Sequence, residues 1–88
     1  MATFSLRVVT PESTLLEDEA QAVFMRTDGG EIGFLAGHTP LVASVEPGAL
    51  RVQAADGSER TVDIEGGFVL MDGAHLVLVT PSGEMAPA

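Results

Sequence analysis

Gly29-Gly30-Glu31-Ile32-Gly33-Phe34-Leu35-Ala36-Gly37-His38-Thr39-Pro40-Leu41 carries four glycines within nine residues, yet Ile32, Phe34, Leu35 and Leu41 are large and apolar. Glycines alone would signal a flexible loop, but such side chains need burial, so this segment has to be packed and sharply bent at once. Glycine permits positive φ or close approach of another backbone, and Pro40 pushes Thr39 toward an extended conformation. The alternation Glu31, Ile32, Gly33, Phe34 predicts a short strand running into a tight corner at Gly37-His38, with a second strand starting near Leu41.

Upstream of this corner, Phe4, Leu6 and Val8 alternate with Ser5, Arg7 and Val9, the period-two pattern of a half-buried strand, and Thr10-Pro11-Glu12 ends it. Residues 13–25 fit two readings. One is a helix with Ser13 as its N-cap and Leu15, Leu16, Ala20, Val23 and Phe24 along one face. The other is a short strand at Ser13 to Leu16, an acidic turn at Glu17-Asp18-Glu19, then a strand with Ala20, Ala22 and Phe24 facing inward. Local pattern leaves both open.

Downstream, Leu41-Val42-Ala43-Ser44-Val45 reads as a strand, and Glu46-Pro47-Gly48 as a turn with proline setting φ at its second position. Leu50, Val52 and Ala54 form the next inward face, with Arg51 and Gln53 on the wet side. Ala55-Asp56-Gly57-Ser58 is a hairpin, since Asp-Gly supplies the positive φ of tight connections. Val62 and Ile64 continue inward, and Gly66-Gly67 reverses or bends the chain. Phe68-Val69-Leu70-Met71 follows, Asp72-Gly73 turns it again, and Leu76-Val77-Leu78-Val79 closes the series. Short strands with a turn signal after each predict an all-β antiparallel sandwich or barrel. Residues 1–80 form the domain, and the small, polar, proline-containing stretch 81–88 is expected to be a loosely ordered tail.

Composition bounds the function. The 88 residues leave room for one core, and 45% hydrophobic content argues for a packed fold. The absence of cysteine removes disulfides and thiolate metal sites. Thirteen acidic against four basic side chains give a net charge of −9, a field that repels duplexes and anionic bilayers and suits a basic partner protein. The longest run without a formal charge, Ile32 to Val45, is shorter than the about 20 residues a bilayer span needs. Arg7, Pro11 and Glu12 interrupt any signal-peptide core near the start. The expectation is a soluble cytoplasmic protein.

No catalytic, cofactor-binding or metal-ligating set is expected. A lone histidine is more often a structural hydrogen-bonder than a ligand, and no spacing pattern links His38 to His75. Glu17-Asp18-Glu19 lacks EF-hand spacing and reads as a solvated turn. Nothing holds two carboxylates at a glycosidase separation, and no Gly-x-Ser-x-Gly or Cys/His set appears. Gly29-Gly30-Glu31-Ile32-Gly33 resembles a phosphate-cradling loop only superficially, because neither a lysine nor a helix start follows.

Four pieces carry a family resemblance. Arg7-Val8-Val9-Thr10-Pro11-Glu12, then Gly30-Glu31-Ile32-Gly33 through Gly37-His38-Thr39-Pro40-Leu41, then Pro47-Gly48-Ala49-Leu50-Arg51-Val52 and Gly66-Gly67-Phe68 follow one another as in the epsilon subunits of F-type ATP synthases. The likeness covers Phe4 to Val79. It implies an antiparallel β-sandwich of about ten short strands in two sheets, and it favours strand, turn and strand over a helix at residues 13–25. It also implies a non-catalytic rotor subunit of the central stalk, peripheral on the cytoplasmic face of an energy-transducing membrane. There it joins the gamma subunit to the rotor ring and helps couple proton-driven rotation to ATP synthesis. By the same resemblance, Gly30 and Glu31 meet the rotor ring, and Thr10, His38, Thr39 and Pro40 meet gamma.

Two departures stand out. Relatives usually continue into a helical hairpin that can inhibit ATP hydrolysis, whereas no helical sequence follows Val79 here. A proline commonly precedes the Gly-His pair, and Ala36 stands there instead. The competing reading is a stand-alone adaptor or carbohydrate-binding module, but four Phe without Trp or Tyr equip it badly for sugar.

Overall fold

The computed structural model describes residues 2–86, and every regular element among them is a strand. β1 (Phe4–Val9) buries Phe4, Leu6 and Val8 as its alternation implied. β2 (Thr14–Thr27), β3 (Gly30–Leu35), β4 (Leu41–Ala54), β5 (Glu59–Met71), β6 (His75–Val79) and β7 (Gly83–Met85) follow. The helix is thus excluded at residues 13–25. There β2 lies antiparallel to β1, Leu16 is buried opposite Val8, and Glu17 meets Arg7 across the strands at 3.0 Å.

Neighbouring strands run β1-β6-β5-β4-β2-β3, and β1 pairs with β2 as well, so the hydrogen bonding closes on itself like a barrel. β3 hangs from β2 and β7 from β5. Among the described residues, β1 and β6 form the only parallel pair. Phe4, Leu6, Val8, Val23, Phe34, Leu50, Val52, Val62, Val69, Leu76 and Leu78 fill the interior. Burial of such side chains, at roughly 25 cal/mol per Å² of apolar area, is the main favourable contribution. Buried Thr27 and Thr80 donate their hydroxyls to the carbonyls of Gly30 and Ser82, each at 2.9 Å, so burial leaves neither unpaired.

The all-β sandwich is as expected, but its strands are fewer and longer than the turn signals implied. The segments expected at residues 13–16 and 20–24 are continuous in β2, those at 41–45 and 50–54 in β4, and those at 62–64 and 68–71 in β5. Glu46-Pro47-Gly48 is not a turn. Val45 pairs with Gly67 and Pro47 with Glu65 without a register shift, so the hairpin bends as a unit. Gly48, Gly66 and Gly67 supply the bend with φ of 147°, 85° and 134°. Gly67 also has no room for a side chain, since a Cβ there would fall 1.9 Å from the Val79 carbonyl oxygen.

A further expectation is corrected in part. Ala20 and Ala22 are both buried, but Phe24 does not point inward, because the β2–β4 register shifts between Ala20 and Ala22. Such a bulge inserts one residue and exchanges the two faces beyond it. Val23 and Met25 therefore enter the core, and Phe24 turns outward over Gly33. Beyond residue 80 the described chain adds the short strand β7 to β5. Gly83–Met85 pairs with Val62–Ile64, the Glu65 N–H donates to Ser82 O at 3.1 Å, and the Ala86 N–H donates to Thr61 O at 2.9 Å. Residues 87 and 88 lie outside the described residues.

The bend yields a paired test. Gly67→Ala combines positive φ with a backbone collision and should lose more than about 3 kcal/mol of urea-unfolding stability. Gly57→Ala, also at positive φ but facing open space, should lose only about 1 kcal/mol.

A candidate protein-docking face

A half-buried antiparallel strand alternates apolar and polar residues, but Phe68-Val69-Leu70-Met71 and Leu76-Val77-Leu78-Val79 are apolar on both faces. Val69, Met71, Leu76 and Leu78 point inward and satisfy the core. The others face outward, with Phe68 58% exposed, Leu70 45% and Val79 42%, and Val42 of the adjacent β4 joins them at 68%. Register makes them neighbours, with Val42 opposite Leu70, Phe68 opposite Val79, and Leu70 opposite Val77. The outer surface of β4, β5 and β6 is therefore one contiguous apolar face, the kind of patch that marks a protein contact.

Each end of this face carries residues singled out from sequence. At one end a cavity of about 500 Å³ lies among Pro40, Val42, Leu70, His75 and Val77. The corner before it is the turn Leu35-Ala36-Gly37-His38. The His38 N–H donates to Leu35 O at 3.1 Å, Gly37 sits at φ 82°, and its N–H donates to Gly73 O at 2.8 Å. Positive φ at the third position is the geometry of a type II turn. His38 is held by packing: its ring centroid lies 4.8 Å from that of buried Phe34, and its Nδ1 lies 2.6 Å from Thr39 O. Thr39 and Pro40 are exposed beside it.

Across the cavity, the turn at Asp72 is fixed by its carboxylate, which accepts the Ala74 N–H at 3.0 Å and the His75 N–H at 2.7 Å. These bonds favour the ionised form and hold the Asp72 carboxyl below the ordinary aspartate range. Asp56 is lowered likewise by the Ser58 hydroxyl and N–H in the β4–β5 hairpin.

At the other end a groove of about 570 Å³ runs past Gly30, Glu31, Ile32, Val42, Ser44 and Phe68. Gly30, at φ 114°, closes the β2–β3 hairpin, and Glu31 follows on the outer surface. Glu31 Oε1 lies 3.6 Å from the Arg51 guanidinium, whose central carbon stands 5.1 Å above the Phe24 ring. Phe24 in turn covers Gly33, where a Cβ would meet the ring at 2.9 Å. Glu31 thus stands at the tip of an exposed stack, in an ion pair of the kind contributing about 0–1 kcal/mol.

Thr10 is separated from His38, Thr39 and Pro40 by the length of β1. Its Oγ1 accepts the Ser13 N–H at 3.1 Å, capping the β1–β2 turn near Val79, while His38 to Pro40 sit near Ala74 at the start of β1. The apolar face lies between the two groups. Its own residues, Val42, Phe68, Leu70 and Val79, were not singled out as candidates from sequence. The available signal was the uninterrupted apolar runs, where a wet outer face would call for alternation. Among the described residues no three His, Asp or Glu side chains gather as metal ligands, and no helix is long and apolar enough to cross a membrane.

A family model described as the ATP synthase delta/epsilon chain, beta-sandwich domain, matches residues 3–86. The chain belongs to this ATP synthase family. It is 41% identical over 83 residues to an ATP synthase epsilon chain of Desulforudis audaxviator, covering 94% of this chain and 60% of that one. It is 39% identical over 82 residues to an ATP synthase epsilon chain of Ruminococcus albus, covering 93% and 60%. The chain thus spans about 60% of the length of these curated relatives. Among solved structures, a chain of the Euglena gracilis mitochondrial ATP synthase OSCP/F1/c-ring assembly superimposes with a TM-score of 0.89 at 28% identity. That likeness covers 97% of this chain and 54% of that one. A chain of the Tetrahymena thermophila mitochondrial ATP synthase central stalk/c-ring shares the fold, with a TM-score of 0.77 at 11% identity, covering 93% and 66%.

Within this ATP synthase domain the corner offers a test. Ala36 occupies the second position of its turn, where proline pre-sets φ, and Leu35 before it is already extended. Ala36→Pro should raise unfolding stability by about 0.4–1 kcal/mol through the unfolded state, read as a higher urea midpoint at unchanged slope.

Proposed function

We propose that this chain is a non-catalytic rotor element of a proton-translocating F-type ATP synthase. Its apolar outer face docks on the gamma subunit, and its Gly30-Glu31 end rests on the rotor ring, so that rotation of the ring is passed to the shaft. The contiguous patch of Val42, Phe68, Leu70 and Val79 carries this reading, because an exposed apolar patch of this kind marks an interaction surface. The Euglena relative, solved within an F1/c-ring assembly, supports the setting. Pro40, with His38 and Thr39 behind it, borders the face at one end and joins the gamma contact. Thr10 flanks it at the other end, beyond Val79. The net charge of −9 suits basic shaft and ring surfaces and a peripheral position on the membrane's cytoplasmic side without insertion.

A Phe68→Ser, Leu70→Ser variant should keep its thermal midpoint, since both side chains already meet water. Its affinity for purified gamma should fall at least tenfold, because each apolar side chain buried at a contact contributes about 1.5–3 kcal/mol. Equal affinity of variant and parent, measured by calorimetry, overturns the assignment of this face. Glu31→Lys should also fold normally and bind gamma as before. It should weaken retention on the ring and lower coupled ATP synthesis in a reconstituted assembly; full coupling there would remove Glu31 from the ring contact.

A further inference from the structure

The part of β4 beneath the apolar face keeps one edge unpaired. The Asp28 N–H donates to Ser44 O at 3.1 Å, so the Ser44 carbonyl turns away from β5. Independently, the Asp72 N–H donates to His75 O at 3.1 Å, which sets Asp72, Leu70 and Phe68 to bond toward β6, leaving Val69 and Met71 to bond β4. Antiparallel strands alternate the side to which successive residues send their main-chain groups. Leu41 and Ala43 therefore bond to Met71 and Val69, while Val42 directs both its N–H and its C=O to the open side. No strand pairs with β4 there until Val45 meets Thr27. The groove of about 570 Å³ follows this edge, with Gly30, Glu31 and Ile32 as its far wall.

We infer that the β4 edge at Val42, with the Ser44 N–H beside it, takes up an extended segment of the protein that covers the apolar face, added as a further strand. This rests on the reading of that face as the gamma-docking surface, and it states how the partner is held. Strand addition draws affinity from main-chain hydrogen bonds and specificity from alternate side chains. One set of the incoming side chains lies over half-buried Ile32, Leu41 and Ala43 and is apolar. The end near Asp28 and Glu31 is basic, by charge complementarity to a chain with 13 acidic and four basic residues. A second copy of this chain is the poorer occupant, because it would bring the same acidic residues against themselves. The stretch Leu41–Ser44 accommodates a segment of about four residues, or ~13 Å.

Two substitutions separate main chain from side chain. Val42→Ala removes the exposed side chain and keeps the N–H. Val42→Pro removes the N–H, which the fold does not use, and leaves Leu41 in the extended conformation it already has. Purified gamma is the probe, with affinity read by calorimetry and Val42 amide exchange by NMR. The Val42 amide should exchange freely in the isolated chain and slow at least tenfold in the complex, and Val42→Pro should bind at least tenfold more weakly than Val42→Ala. Equal binding of the two variants, or an unslowed Val42 amide, overturns strand addition while leaving the docking face standing. Should Val42→Pro not fold, the exchange measurement on the unaltered chain decides alone. If the unaltered chain does not bind gamma, the docking reading and this inference fall together.

Discussion

The contact between Gly67 and the Val79 carbonyl is the constraint on which the architecture turns. It lets β5 fold sharply across β6 midway along its length, so one strand pairs with β7 in its first half and with β6 in its second. β4 follows, because its register with β5 never slips, and Pro47 and Gly48 absorb the bend on that side. The same bend exchanges the roles of odd and even residues. Before it, Ala43 and Val45 face the core and Val42 and Ser44 are left on the outside; after it, Leu50 and Val52 face the core. Both the enclosed core and the exposed apolar face follow from this one close approach.

The distribution of charge complements that geometry. The ion pairs among the described residues, including Arg7 with Glu17 and Arg51 with Glu31, are exposed and contribute little to stability. Cohesion comes from the apolar interior, and the acidic excess serves solubility and partner choice. A chain with this much exposed apolar surface on three strands benefits from a strong like-charge field, which opposes association of identical copies. The same field attracts a basic surface to the face when the right partner approaches.

Much of the fold was legible in the residues. Phe4, Leu6 and Val8 alternate cleanly because β1 needs only one apolar face, and Asp56-Gly57 and Asp72-Gly73 mark turns through side-chain acceptors and positive φ. The corner at Gly37-His38 was legible for the same reason. The inward face of β2 was not. A bulge between Ala20 and Ala22 leaves no local trace, since Ala, Gln and Ala suit either side of a strand. Nor did Glu46-Pro47-Gly48 reveal that it bends a continuous strand, because a bend and a turn ask for the same residues. The candidate site was half legible: Gly30, Glu31 and Pro40 border the face, while Phe68 and Leu70 were hidden in runs that read equally well as buried strands.

By itself the sequence determined the strand-and-turn character, the places where the backbone takes positive φ, the acidic balance and the family. These depend on side-chain size, charge and local stereochemistry, which each residue carries with it. Only the tertiary structure decided which apolar residues are buried and which stay outside, because a strand apolar on both faces has no preference of its own. That choice is made by pairing: β5 can turn just one face to the core, so Val69 and Met71 go in and Phe68 and Leu70 remain in water. The same pairing exhausts the partners available to β4 before Val42 is reached, which leaves its edge open beside the face.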